Sequence, residues 1–256
     1  MQPDPGSGAV GSARVWGARG RWFESSLPDK KKSSGSSFLF AAGHPVNAKT
    51  MIKNVIFDFG KVLLDWNPHF LYDSYFASRE ECDYFLDNIM TIEWNNDGDI
   101  GTPMMEVADK WARRYPEYAG AFYHYVNEFP NTVRSEIPGM YELIVRLKSR
   151  GIHVWGLSNW SWETFQKMLH KYRIFSLLEG MVVSGQEHVL KPSPEIYRIL
   201  LDRYSLDPSE CVFTDDAQRN IDGAEAVGIK GILFKDAAQL EADLEPLLAS
   251  GPHMQG

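Results

Sequence analysis

The sequence has few cysteines, no long apolar run and no excess of positive charge. Its two cysteines, Cys82 and Cys211, lie far apart and form no CxxC pair, which argues against a disulfide framework and favours a reducing, cytoplasmic location. No apolar run approaches the roughly 20 residues that cross a bilayer, so we expect no membrane segment. The formal net charge of −8 argues against nucleic acid as a general partner.

The remaining composition is that of a globular protein, with 44% hydrophobic and 23% charged residues. A chain of 256 residues is long enough for one large domain, or for a core domain with a smaller inserted one. We expect a monomer or a weak homodimer.

The first 50 residues differ from the rest. They hold seven Lys or Arg against three Asp or Glu, so the net negative charge resides entirely in residues 51–256. They are rich in Gly, Ser and Pro and show no strand or helix period. The apolar stretch Phe38–Ala42 is too short for a signal peptide. We therefore expect residues 1–50 to be a disordered leader, either added or read from an upstream start, with the fold beginning at Met51.

From Met51 onward, short apolar runs alternate with helical patterns. The predicted strands are Lys53–Phe57, His153–Leu157, Met181–Val183, Cys211–Phe213 and Gly231–Phe234. The predicted helices between them are 138–151, Glu163–Tyr172, Pro194–Tyr204 and Ile221–Val227, with Ala237–Leu248 last. This alternation predicts an α/β fold with a parallel, doubly wound, Rossmann-like sheet. Residues 67–131 show helical spacing and many aromatics, which predicts a small α-helical cap inserted into a core of residues 51–66 and 132–250.

Polar side chains follow three of the predicted strands. Asp58 follows the first, Ser158 and Asn159 the second, and Asp215 and Asp216 the fourth. Ligands of parallel sheets bind outside the carboxyl ends of the strands. Any one of these residues has an ordinary interpretation as a helix cap, but capping does not explain an adjacent pair of acids.

The set fits phosphoryl transfer, which needs a nucleophile, a divalent metal and a cation facing the substrate. Asp58 is the candidate nucleophile, and Asp215 and Asp216 are the candidate metal acids. Ser158 and Lys191, which lies in "HVLKPSPEIY", are candidates to hold phosphoryl oxygens. Mg²⁺ suits a site made of oxygen ligands.

Four ordered segments also resemble the haloacid dehalogenase-like (HAD) hydrolase superfamily. They are "FDFGKVLLD" from Phe57, "GLSNW" from Gly156, "LKPSPEIY" from Leu190 and "FTDDAQRNIDGAEAVGI" from Phe213. The resemblance spans about residues 52–236, and within the superfamily the sequence most resembles bacterial sugar-phosphate phosphatases of the glucose-1-phosphate kind. It implies a Rossmann-like core with the cap inserted after the first segment.

The resemblance implies a role for each matching residue. Asp58 matches the nucleophile that forms an aspartyl-phosphate and also binds the metal. Ser158 and Lys191 match the groups that orient the phosphoryl oxygens. Asp216 matches the acid that holds Mg²⁺ directly, with Asp215 beside it. Two further positions match in the same way: the backbone carbonyl of Gly60 with a metal ligand, and Asn220 with the last polar position of the final segment.

Gly60 departs from the pattern of many phosphatases in this superfamily, which carry a second Asp there as general acid and base. Such proton transfer contributes roughly 10² to 10⁴ in rate. Three explanations are open. Asp65 or His69 supplies the proton, or the substrate has a good leaving group, or the protein binds phosphorylated ligands and catalyses poorly. We favour the first two together.

The segment "IEWNNDGDIG" from Ile92 has the Asn, Asp and Gly content of a loop in the cap. Its Glu93, Trp94 and Asn95 are candidates to reach the site entrance, with an ordinary turn as the alternative. We count Lys61, Asn159 and Trp94 as candidate substrate-binding residues.

The leading interpretation is a Mg²⁺-dependent phosphatase acting on a small phosphorylated metabolite, in particular a sugar phosphate. A 2-haloacid dehalogenase is the second, although the adjacent acids Asp215 and Asp216 would repel its anionic substrate in the absence of a metal. A non-catalytic protein that binds phosphorylated metabolites is the third, and Gly60 is its best support.

Overall fold

The computed structural model describes residues 13–16, 22–25 and 51–248. The chain divides into two compact units, Met1–Lys49 and Thr50–Gly256. In the first unit, strands β1 (Ala13–Trp16) and β2 (Trp22–Ser25) pair antiparallel, a pairing that the sequence did not predict. The other residues of the predicted leader lie outside the described residues, and the prediction of disorder for them stays a prediction.

The described residues of the second unit, 51–248, contain seven strands. They are β3 (Asn54–Phe57), β4 (Leu64–Trp66), β5 (Val133–Glu136), β6 (His153–Ser158), β7 (Gly180–Val183), β8 (Cys211–Asp215) and β9 (Lys230–Leu233). Five of them form a parallel sheet in the order β7-β6-β3-β8-β9. Within this sheet the chain enters at the central strand β3, adds β6 and β7 on one side, and then returns to add β8 and β9 on the other side. This confirms the predicted parallel, doubly wound α/β fold and puts the reversal of strand order between β3 and β8.

Eleven helices of the α type accompany the strands in the described part of the chain. They are α1 (His69–Tyr72), α2 (Arg79–Tyr84), α3 (Ile92–Asp99), α4 (Met104–Arg114), α5 (Ala119–Glu128), α6 (Met140–Ser149), α7 (Trp162–Leu169), α8 (Ser184–Glu187), α9 (Pro194–Tyr204), α10 (Gln218–Glu225) and α11 (Ala237–Leu248). None of the helices described has both the length and the apolarity that a bilayer crossing requires.

Apolar side chains of the sheet and of the helices beside it form a common core. Ile56 of β3 and Phe213 of β8 are fully buried with Ile196 and Leu200 of α9 in one cluster. Each such side chain contributes about 1.5–3 kcal/mol through burial. A parallel sheet is stable because helices shield its strands from water, which is why the strands read as continuous apolar runs in the sequence.

The helical block predicted for residues 67–131 lies between β4 and β5, which pair antiparallel with Leu64 opposite Glu136 and Trp66 opposite Val133. We call the helices α1 to α5 the cap. Their interior is aromatic: the ring of Trp94 stacks on that of Phe122 with 4.9 Å between centroids. Cap and core lie in the same compact unit. The predicted division into a cap of residues 67–131 and a core of residues 51–66 and 132–250 therefore stays a prediction.

The segment predicted as a loop from Ile92 is in fact the helix α3, so that prediction was wrong. Its Asn, Asp and Gly residues have low helix propensity, but burial of Trp94 and Gly98 in the packed cap outweighs propensity. A Cβ at Gly98 would lie 2.5 Å from Met104 Sδ, so a larger residue there would require the Met104 side chain to move.

Candidate active site

A cavity of about 330 Å³ lies beyond the carboxyl ends of β3, β6 and β8, between the core and the cap. The core side is polar and charged, and the cap side is largely apolar and aromatic. The core side includes Asp58, Gly60, Lys61, Ser158, Asn159, Lys191, Asp216, Arg219 and Asn220, and the cap side includes Ile92, Trp94, Asn95, Asn96, Asp99, Met104, Tyr125 and Phe129. The cavity opens where the strand order reverses, the place where open α/β sheets bind ligands.

Lys191 joins the two central strand ends. Its Nζ donates to Asp58 Oδ1 at 2.7 Å, to Asp215 Oδ2 at 2.6 Å and to the Leu157 carbonyl at 3.1 Å. Burial lowers the pKa of Lys191, but the carboxylates of Asp58 and Asp215 raise it above its ordinary value. The ammonium is therefore a fixed positive charge beside the predicted nucleophile.

Asp58 follows β3 directly, and its backbone N–H donates to the Thr214 carbonyl at 3.0 Å, which fixes it against β8. Burial raises the pKa of its carboxyl to about 6, and Lys191 opposes the rise. The carboxyl is thus still mostly ionised at pH 7. An anionic, immobilised carboxylate at the cavity wall has the properties of a nucleophile.

The side chain of Asn159 binds the backbone of Lys191. Its Nδ2 donates to the Lys191 carbonyl at 3.0 Å, and the Lys191 N–H donates to Asn159 Oδ1 at 2.8 Å. Asn159 also lines the cavity. Because its amide group already binds the Lys191 backbone, the structure gives Asn159 a positioning contact that the sequence analysis did not foresee. Its predicted substrate contact stays a prediction.

Asp215 and Asp216, adjacent in sequence, differ in environment. Asp215 is fully buried, and its carboxylate accepts hydrogen bonds from Lys191, from the Ala217 N–H at 2.9 Å and from Asn220 Nδ2 at 2.9 and 3.0 Å. Asp216 lines the cavity with its side chain 35% exposed, and Lys61 Nζ lies 3.9 Å from its Oδ2. Burial, with a smaller effect of Asp215, raises the pKa of Asp216.

The acids at the two strand ends fit a divalent cation. Asp58, Asp215 and Asp216 each offer a carboxylate oxygen, and these oxygens lie within 4.8 Å of one another. Asn220 Oδ1 is buried and finds no hydrogen-bond partner within the described residues, so an oxygen acceptor remains available beside them. A group of oxygen ligands of this kind suits Mg²⁺. Gly60, predicted to offer its carbonyl, lines the same cavity.

The other predicted site residues differ in whether they line the cavity. Ser158 ends β6, is buried and lines the cavity. Lys61 is exposed and lines the cavity on the side of Asp216. Trp94 also borders the cavity, but its ring is fully buried among the aromatics of the cap. Glu93 points away, with its side chain 69% exposed and 3.6 Å from Arg114.

The two residues predicted as alternative proton donors do not line the cavity. Asp65 lies in β4. His69 lies in the cap, with its Nδ1 at 2.9 Å from Asp73 Oδ1 and its Nε2 at 3.8 Å from Asp83 Oδ1. A role for either residue as the proton donor stays a prediction.

The sequence analysis missed Asp99, the last residue of α3. It lines the cavity, and burial raises the pKa of its carboxyl to about 7, with a smaller contribution from Asp58. Hydrogen bonding from the Ser161 backbone and the charge of Lys191 oppose the rise. Asp99 belongs to the segment "IEWNNDGDIG", which the sequence analysis singled out for its polar residues. The local sequence did not distinguish Asp99 from Asp97 as a residue of the site.

Comparison with known proteins identifies a family whose sequence model this chain matches. Residues 52–228 match the family model of the haloacid dehalogenase-like hydrolases. The chain is 25% identical over 213 residues to the sesquiterpene phosphatase astK of Aspergillus oryzae, which covers 78% of this chain and 98% of that protein. It is 27% identical over 146 residues to the glyceraldehyde 3-phosphate phosphatase of Pyrococcus furiosus, which covers 55% and 56%.

Solved structures share the fold. The HAD family enzyme bt-2542 of Bacteroides thetaiotaomicron, in complex with magnesium and inorganic phosphate, has a TM-score of 0.55 at 23% identity over 72% of this chain and 95% of that chain. A solved dehalogenase with an intermediate complex has a TM-score of 0.57 at 19% identity over 78% and 98%. At these identities the likeness establishes the fold and does not decide between the two chemistries.

Proposed function

Because the chain belongs to the haloacid dehalogenase-like hydrolases, we propose that it is a Mg²⁺-dependent phosphatase of a small phosphorylated metabolite, in particular a sugar phosphate. The observation that carries the proposal is the arrangement at the strand ends. An ionised carboxylate, Asp58, lies against the buried ammonium of Lys191 and beside two further acids at the reversal point of the sheet.

In the proposed reaction, Asp58 attacks phosphorus and forms an aspartyl-phosphate while the P–O bond to the leaving group breaks. Lys191 and Ser158 hold phosphoryl oxygens and orient the group for attack. Bound at Asp58, Asp215 and Asp216, Mg²⁺ would offset the repulsion between the carboxylate and the phosphate. Water then cleaves the aspartyl-phosphate and releases inorganic phosphate.

The cavity supports a small substrate. Its volume of about 330 Å³ is at the lower end of the range for small-molecule sites. The amides of Asn95 and Asn96 on the cap side offer hydrogen bonds to hydroxyl groups, and the rings of Tyr125 and Phe129 offer apolar contact to a carbon skeleton. Two relatives are named as phosphatases, one of sesquiterpenes and one of glyceraldehyde 3-phosphate, which supports phosphate esters as the substrate class.

Dehalogenation is the second candidate, since the same fold occurs in solved dehalogenases. Its substrate is an anion that would meet the carboxylates of Asp58 and Asp216 in the cavity wall with no metal to offset their charge. The acidic strand end therefore favours the phosphatase.

A panel of substrates tests the proposal. We expect phosphate release from sugar phosphates and glyceraldehyde 3-phosphate with Mg²⁺, little release when the metal is chelated, and no halide from 2-chloropropionate. Asp58→Asn is expected to abolish turnover and to leave the circular dichroism spectrum unchanged, because the amide keeps the shape of the side chain and loses the nucleophile. Near-normal turnover by folded Asp58→Asn, or halide release without metal, would overturn it.

A further inference from the structure

The site lacks a proton donor at the position of Gly60, and the reason is not steric. A Cβ at Gly60 meets nothing within 4 Å of the described chain, and its backbone does not adopt the left-handed conformation that requires glycine. There is room for a Cβ at this position. The proton for the leaving group must therefore come from another residue on the cavity, or the leaving group must depart without one.

Asp99 is the acidic residue that the cap contributes to the lining of the cavity. The two other acids of the lining, Asp58 and Asp216, belong to the core and to the predicted metal site. The carboxyl of Asp99 lies close enough to Asp58 and Lys191 for both to shift its pKa. Asp99 and Asp58 thus border the same cavity, Asp99 from the cap and Asp58 from the core.

The core fixes the position of Asp99 although the residue belongs to the cap. Ser184 Oγ, just after β7, donates to the Asp99 carbonyl at 2.6 Å. The Trp160 N–H donates to the same Ser184 Oγ at 3.0 Å, and His188 Nδ1 lies 2.8 Å from the Ile100 carbonyl. These contacts hold the end of α3 against α8, the short helix that follows β7, and Trp160 in turn fixes Ser184 from the loop that follows β6. A donor held in place by the strand ends is preorganised relative to Asp58.

The protonation state of Asp99 also suits a donor. Burial raises its pKa to about 7, so a large fraction of the carboxyl carries its proton at neutral pH. The groups that face it are Asp58, Lys191 and Tyr125, with Lys61, Asp216 and Arg219 on the core side of the same cavity. An ordinary exposed Asp is ionised at this pH and has no proton to give.

We propose that Asp99 is the general acid and base of the reaction, in place of the acid that Gly60 cannot supply; this inference rests on the proposed phosphatase function. As Asp58 attacks phosphorus and the P–O bond to the leaving group breaks, the Asp99 carboxyl gives its proton to the departing oxygen. The resulting Asp99 carboxylate then takes a proton from water as the water oxygen bonds to phosphorus. The bond between phosphorus and Asp58 breaks, and both carboxyl groups return to their initial states.

The test measures how kcat/KM depends on the leaving group. A graded series of aryl and alkyl phosphates is hydrolysed with Mg²⁺ by the full chain and by Asp99→Asn, which retains the side-chain shape. We expect a shallow dependence on leaving-group pKa in the parent and a steep one in Asp99→Asn. Alkyl phosphates should lose about 10²- to 10⁴-fold, whereas the best aryl phosphates should lose little in the first step.

Two further measurements separate proton transfer from substrate binding. With a good leaving group, Asp99→Asn should accumulate phosphoenzyme, because water attack also loses its base, and acid quench would trap it. The double variant Gly60→Asp with Asp99→Asn should recover part of the rate on alkyl phosphates, since a Cβ at position 60 meets nothing within 4 Å. Glu93→Gln on the same helix, exposed and outside the cavity, is the matched control and should behave as the parent.

The outcomes are distinguishable. If the parent is active and Asp99→Asn shows the parent's slope with a raised KM, Asp99 binds substrate and does not transfer protons. If Asp65→Asn or His69→Ala steepens the slope and Asp99→Asn does not, the donor is one of those residues. Both results overturn the inference and leave the proposed function intact. A parent that hydrolyses no phosphate ester with Mg²⁺ overturns both.

Discussion

The side-chain amide of Asn159 makes hydrogen bonds to both the carbonyl and the N–H of Lys191, at 3.0 and 2.8 Å. These two contacts lock the backbone of Lys191 beside the end of β6, and the locked backbone lets the ammonium reach Asp58 and Asp215. The positive charge at the candidate nucleophile is thus positioned by a residue that also lines the cavity.

Replacing Asn159 by Ala should therefore impair folding stability and turnover together. Two hydrogen bonds of about 0.5–1.5 kcal/mol each are lost, so we expect the free energy of unfolding to fall by about 1–3 kcal/mol in a urea titration. Turnover should fall because the Lys191 ammonium is no longer fixed beside Asp58.

Asn95→Ala is the matched control for Asn159, because Asn95 lines the cavity from the cap and, among the hydrogen bonds of residues 51–248, makes none to Lys191. It should raise KM with little change in stability. If Asn159→Ala shows this same pattern, Asn159 contacts substrate and does not position Lys191.

The metal site should respond differently to its two adjacent acids. Asp216→Ala removes a partly exposed carboxylate with few protein contacts, so we expect a higher Mg²⁺ requirement and a smaller rise in melting temperature on adding Mg²⁺, with the metal-free melting temperature nearly unchanged. Asp215→Ala should also lower the metal-free melting temperature, because it removes one of the three hydrogen-bond partners of the buried Lys191 ammonium and both carboxylate acceptors of the Asn220 side-chain amide.

Asp222→Asn, an exposed substitution on α10, serves as the control for these metal titrations. Its Mg²⁺ response should equal that of the parent. Parent-like Mg²⁺ titration curves for both Asp215→Ala and Asp216→Ala would place the metal elsewhere.

Asp99 should make the stability of the protein depend on pH. Burial raises the pKa of its carboxyl from 3.8 to about 7, so the folded state binds this proton more tightly than the unfolded state does. Its contribution is fully present below pH 3.8 and is lost as the pH rises to about 7, where a buried carboxylate must form. Asp99→Asn should therefore raise the melting temperature more at pH 8 than at pH 5, measured by differential scanning calorimetry without Mg²⁺.

The exposed Glu93→Gln, on the same helix as Asp99 but outside the cavity, should shift the melting temperature equally at both pH values. An equal shift for Asp99→Asn as well would contradict the raised pKa of its carboxyl.

Much of the fold could be read from the sequence because its determinants are local. Buried parallel strands are continuous apolar runs, and helices between them repeat their apolar residues with a different period. Once the strands were placed, the rule that parallel strands end at one edge brought Asp58, Ser158 and Asp215 together. Boundaries were less certain: α10 begins at Gln218, three residues before its predicted start, because its first turn is polar and carries no apolar period.

The tertiary structure alone decided which side chains complete the candidate site. Asp97 and Asp99 have the same chemistry and nearly the same local sequence, yet Asp97 bonds to Lys110 and Trp111 within the cap while Asp99 lines the cavity. What separates them is the rotation of α3, which is fixed by burial of Trp94 and by the hydrogen bond from Ser184 some 85 residues later in the chain. Sequence determined the strand ends and their acids through local periodicity; the contacts across the cavity depend on packing between distant segments, which no local pattern encodes.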